Sequence, residues 1–167
     1  MTEELCIEPP TKDEAHPRAR EVLTDAFFWD VADPAAPFGN ETAMEALEAL
    51  RDLRDEDREA SAVELLAELL RRWEIADEGW DVADEAEVRA LGERDELGLL
   101  VRDEALLGLC FGDLLLRGRV EPEMRRRALI ALTRQALPAL LHGFGDRMRA
   151  REAHVARMRE VLGRKWD

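Results

Sequence analysis

Apolar residues recur along this chain at steps of three and four, the period of a helix that buries one face. Met44, Leu47, Leu50 and Leu53 trace one such face. Val63, Leu66, Leu70 and Trp73, widened by Leu65 and Leu69, trace a second and clearer one. Met148, Val155, Met158 and Leu162 trace a third. Between Leu97 and Leu116 the pattern changes, because Leu99, Leu100, Val101, Leu106, Leu107, Leu109, Cys110, Phe111 and Leu114 to Leu116 leave little polar face. Such a segment is buried on all sides. Its glycines are costly in a helix interior, about 1 kcal/mol each relative to alanine. The four-residue spacing of Gly108 and Gly112 therefore predicts the close approach of a neighbouring helix.

Helix starts and stops are written between these faces. Thr11 with Glu14, Thr42 with Glu45 and Ser61 with Glu64 have capping-box spacing, and Asp84 with Glu87 imitates it. Pro17 after His16, and Pro122, suit first helical positions; His16 reads as an N-cap or surface group. Gly79 fits a helix C-terminus, Pro138 ends or kinks the helix before it, and Gly143-Phe144-Gly145 forms the final turn before a helix from about Asp146. The expectation is an all-α, single-domain bundle of six or seven helices over residues 1–167. Its middle is a leucine-rich helix from about Asp103 to Arg117, and residues 1–10 are expected as a flexible N-terminal tail.

One stretch resists the helical period. Phe27-Phe28-Trp29-Asp30 through Pro37-Phe38-Gly39-Asn40 holds four of the nine aromatic residues of a chain without tyrosine. Asp33-Pro34 and Pro37 exclude a helix interior. Loops run over the surface and are usually polar, so these rings either fold back on the helices or face a partner. Trp29, Phe38 and Trp80 are the candidates for exposed contact residues. Asp30, Asp33 and Asn40 are the candidate polar groups of a ligand site. Oxygen ligands of this kind could hold a hard cation, but no calcium-loop pattern is present and Asp and Asn are ordinary turn residues. No metal and no cofactor is expected.

Charge sharpens the picture. The net charge is −14, and it is uneven. Residues 1–104 carry 31 acidic against 11 basic side chains, a balance of −20, whereas residues 105–167 carry 7 against 13, a balance of +6. The two parts can neutralise each other by packing, or the acidic part can present a face that steers a basic partner. Binding to nucleic acid is disfavoured, since phosphate contacts need a basic surface. The arginines at 147, 149, 151, 157 and 159 fan around the last helix, which reads as solvated. No apolar run approaches ~18 residues, so no membrane span is expected. Cys6 and Cys110 lack metal-like spacing and suit reduced thiols in a cytoplasmic protein, Cys110 as an inert buried one. His142 and His154 show no zinc spacing. No phosphate loop, nucleophile elbow or zinc-protease helix occurs, so no catalytic constellation emerges, and an enzyme would have to rest on a carboxylate with a displaced pKa.

The run His16-Pro17, Phe27-Phe28-Trp29-Asp30, Asp33 and Pro37-Phe38-Gly39-Asn40-Glu41 resembles the start of the small bacterial proteins grouped as YfeS-like. Gly108-Leu109-Cys110-Phe111-Gly112-Asp113-Leu114, Gly118-Arg119-Val120 and Arg134-Gln135 are similar to their second half. The resemblance covers most of the chain and departs at Pro34-Ala35-Ala36, where more acidic residues are expected. It implies an independently folding unit and carries no activity across. The leading functional expectation is an acidic protein-binding module, of immunity or inhibitor type, engaging a basic partner. One alternative is an enzyme or small-ligand binder with a pocket under the 27–40 loop. The other is a self-associating structural protein, in which the basic part of one chain meets the acidic part of another as a homo-oligomer.

Overall fold

Helix follows helix in the computed structural model, which describes residues 6–166. Seven α-helices of six residues or more are present: α1 (Pro17–Val22), α2 (Glu41–Glu56), α3 (Ala62–Arg72), α4 (Glu85–Arg94), α5 (Glu96–Arg117), α6 (Pro122–Gln135) and α8 (Met148–Leu162). The single turn α7 (Pro138–Leu141) and two 3-10 segments, Ala26–Trp29 and His142–Arg147, complete the set, and no strand occurs among the described residues. The expected tail over residues 1–10 lies in its first half outside the described residues. In its second half Pro10 is buried, and Arg51 donates to the carbonyls of Glu8 and Pro9.

Capping residues set most of the helix starts. Ser61 accepts from the Glu64 N–H at 3.2 Å and Asp84 from the Glu87 N–H at 3.2 Å, as their spacing predicts. His16 caps α1 through Nδ1, which accepts from the Arg18 N–H. The start of α2 differs from expectation. Asn40, not Thr42, is the cap, and its Oδ1 accepts from the Ala43 N–H at 2.8 Å. At the end of α3 the left-handed residue is Glu74 (φ 57°) rather than Gly79, and the Ile75 N–H closes back on the Leu70 carbonyl at 2.8 Å. Gly79 (φ 80°) serves the following connection instead.

The 22-residue α5 is the axis of the bundle, longer at its N-terminal end than the periodicity suggests. Every residue from Ala105 to Leu115 is buried, against α2, α3, α6 and α1. Each leucine fully buried there contributes about 1.5–3 kcal/mol relative to exposure. The glycine spacing has the expected cause. A Cβ on Gly108 would lie 2.9 Å from the Cα of Ala43, and one on Gly112 would lie 2.8 Å from Leu50 Cδ2, so α2 can cross α5 only over these two positions.

Asp113, completely buried on α5, is held by two arginines. Arg54 reaches its oxygens at 2.9 and 2.8 Å and Arg117 at 3.1 and 2.8 Å, and both arginines also bind the Arg58 carbonyl. Basic groups of the C-terminal part pair with acids of the N-terminal part in Arg119–Glu59, Arg126–Asp81, Arg134–Asp103 and Arg157–Asp25. The uneven charge is thus partly neutralised within the chain.

A second, smaller apolar cluster stands beside the main core. Val88 and Leu91 of α4 and Leu99 of α5 form it, with Val82, Leu137 and Leu140 packed around. Among the described residues no helix is long and apolar enough to cross a membrane.

Candidate functional site

The aromatic stretch folds back on the bundle. Phe28 points into the core against Phe111, with ring centroids 5.7 Å apart, and Phe27 stacks on the His154 ring at 4.1 Å. Trp29 is half-buried, its indole N–H spent on the Leu23 carbonyl at 2.9 Å. Phe38 is only 1% exposed, so it is core and not a contact residue. Trp80, 8% exposed, is corrected in the same way: its indole N–H donates to Asp77 and Arg127 covers its ring at 5.0 Å. A polar connection was expected to expose that ring, but it packs into the main core with Arg127 of α6 over its face.

The carboxylates of the stretch shape its backbone. Asp30 accepts from the Ala32 N–H at 2.8 Å and Asp33 from the Ala35 N–H at 2.9 Å, each turning the chain within two residues. The fold-back then tightens until a Cβ on Gly39 would fall 1.6 Å from the Asp33 carbonyl oxygen, so no other residue fits there. Asp33 also faces His154, with Oδ2 3.8 Å from Nδ1. Among the described residues no group of three or more His, Cys, Asp or Glu side chains is placed to hold a metal ion. Burial pushes the Cys110 thiol well above its ordinary pKa, which leaves it unreactive.

What lies on the far side of this loop is a cavity of about 520 Å³. Pro34, Ala36, Pro37 and Asn40 form one wall. Val88 and Gly92 of α4, with Leu99, Leu100 and Leu107 of α5, form the second. Ala139 and Leu140 of α7 and Phe144 beyond it form the third. The cavity thus fills the gap between the main core and the satellite cluster. Leu100, 53% exposed, stands at its lining, and Leu97, 65% exposed, lies one turn before it.

Four polar side chains converge deeper in. Asp103 is neutralised by Arg134, whose Nη2 and Nε donate to it at 2.5 and 3.3 Å; Arg134 Nη1 also binds the Gly79 and Val82 carbonyls. Gln135 accepts from Arg151 Nη2. Arg151 is 6% exposed, its Nη1 donates to the Ala35 carbonyl at 2.6 Å, and its guanidinium lies 5.2 Å from the Phe144 ring centroid. The Arg151 Nε–H is buried and has no partner. Burial pushes the Arg151 pKa down, against the opposing pull of Asp103, Glu104 and Asp33. Burial likewise pushes the Glu104 carboxyl up, against the Thr42 hydroxyl and Arg151.

Of the residues singled out from sequence, Asn40 alone lines this cavity, with Asp33 one position from its wall; Trp29, Asp30, Phe38 and Trp80 do not. Arg151, Glu104 and Gln135 were missed. Arg151 carried a signal. At ~100° per residue it falls at about 40° from Arg147, inside the stripe of Met148, Val155, Met158 and Leu162 at about 20–100°. An arginine centred on an apolar stripe is a buried arginine, not a solvated one. No protein-family model, no curated protein and no solved structure matches this chain.

Proposed function

We propose that this protein binds a small, largely apolar molecule in the cavity between the 34–40 loop, α4–α5 and α7. The supporting observation is the cavity itself: about 520 Å³, walled by Pro37, Val88, Leu99, Leu107, Leu140 and Phe144, with a few polar groups converging at depth. Small-ligand sites have this size, about 300–1,000 Å³, and this division between apolar walls and sparse polar anchors. The exposed Leu97 and Leu100 extend the apolar character outward.

The test is fluorescence titration with Nile red, a neutral apolar dye. The expected result is bright, saturable binding by the wild-type chain, weakened at least about ten-fold in Leu107→Trp, which fills the cavity. Absence of enhancement, or equal binding by both proteins, refutes the reading. A second reading, docking of a basic protein partner on the acidic surface, keeps the net charge of −14 as its support. Two of the rings proposed as its anchors, Phe38 and Trp80, lie in the core, and several acids are paired across the chain. Salt-sensitive retention of a basic protein, unaffected by Leu107→Trp, would favour it over the cavity.

A further inference from the structure

We infer that the ligand of this cavity is a monocarboxylic acid with an apolar tail, its carboxylate seated on the Nε–H of Arg151. The inference rests on the cavity reading and specifies the chemistry of what enters.

Arg151 is a fixed, incomplete site. Two arms of its guanidinium are held, by the Ala35 carbonyl and by Gln135, and Phe144 packs against its face. The fork is therefore oriented before any ligand arrives. One donor of this buried cation remains unsatisfied while the side chain lines the cavity. Leaving a buried charged donor unmade is expensive, and an arriving acceptor removes that penalty. No acidic side chain lies within ion-pairing distance of Arg151, unlike Arg134, Arg54 and Arg117 among the described residues.

The N-terminal end of α8 favours an anion at Arg151. α8 begins without a side-chain cap and without an acidic residue in its first turn, and the exposed Arg147 and Arg149 add positive charge at that end outside the cavity. Helix dipole and side chains thus add the same sign of potential there. The cavity lining also limits the charge to one. Asp103 and Glu104 line the same cavity, so a second negative charge would meet two carboxyl groups, and Arg151 offers one free Nε–H rather than the several donors a phosphate needs. Apart from the exposed Arg89, Glu93 and Glu96, most of the remaining wall is apolar and matches a hydrocarbon or aromatic tail.

Isothermal titration of the full chain with octanoate, octanol and octylamine tests this. Octanoate should bind tightest, by about ten-fold or more over octanol, with octylamine weakest. Equal affinity for octanoate and octanol, or preference for the amine, overturns the inference while the cavity reading survives on octanol and Nile red binding. Failure of all three probes overturns the inference, and Nile red then decides whether the cavity reading falls with it. Arg151→Met should weaken octanoate by about ten-fold or more and octanol by much less; an equal loss for both overturns the inference. Should that variant lose its helical circular dichroism, the nitrogen-15 spectrum of the wild-type arginine Nε–H groups decides. Octanoate should shift one of these resonances and octanol should not; shifts from both, or from neither, overturn the inference.

Discussion

At the C-terminal end of α5 a carboxylate is buried between two arginines that satisfy both of its oxygens, and glycines let α2 press directly on the helix. At the N-terminal end the same helix has two exposed leucines and an open cavity, with a buried arginine from α8 facing it that lacks one hydrogen bond. Both ends carry buried charge. The first end spends all of that charge on the fold, whereas the second pairs Asp103 with Arg134 and leaves Arg151 one bond short. Where buried polar groups are complete, they read as structure; where one is left incomplete beside a hollow, the missing partner points to something from outside.

The contrast is sharpest at Asp113. Removing it in Asp113→Ala strands Arg54 and Arg117 in the core, and breaking such a buried pair costs about 3–5 kcal/mol. Urea denaturation should show a loss of that size, and a loss below about 1 kcal/mol would erase the distinction. Next comes Gly108→Val, which overpacks the α2–α5 crossing at Ala43 and should lose about 1–3 kcal/mol or more. The cavity end should respond differently to added bulk. Leu99→Phe places extra atoms beside empty space, so its unfolding free energy should stay within about 1 kcal/mol of the parent, at or below the low end of the usual cost of overpacking.

The smallest effects are electrostatic and of opposite sign. Glu104 holds its proton more tightly folded than unfolded, because burial raises its pKa. Its ionisation removes stability as pH rises from the ordinary glutamate value of 4.5 through the raised folded value. Glu104→Gln should therefore gain on the parent across that window. Glu123 is the reverse: Arg126 and Arg127 hold its carboxylate down to about 2. Its contribution is whole above 4.5 and is lost as pH falls toward about 2, so Glu123→Gln should lose stability at neutral pH and match the parent in strong acid. Thermal melts across pH, at low salt, would read both.

Much of the frame was legible because its causes are local. Ser61, Asp84, Pro17 and Pro122 act within one turn of themselves, and Gly108 with Gly112 announce a crossing by spacing alone. Thr42 misled because Asn40, two residues earlier, is as good a cap. Gly79 misled because the backbone places Glu74 in the left-handed conformation first. The cavity was illegible for a different reason. Its walls come from residues 34–40, 88–107 and 135–151, and nothing in any one segment records what the others leave empty. Arg151 was legible in principle, since its helical position falls inside the apolar stripe, but the arginines of that helix were read together as solvated.

Gly143 lines the cavity, has no φ constraint, and a Cβ built on it would meet nothing within 4 Å. Side chains of many sizes can therefore be grafted at that position without disturbing α2, α3 or the Asp113 cluster. The molecule separates a frame intolerant of change from a margin that single codon changes can recut.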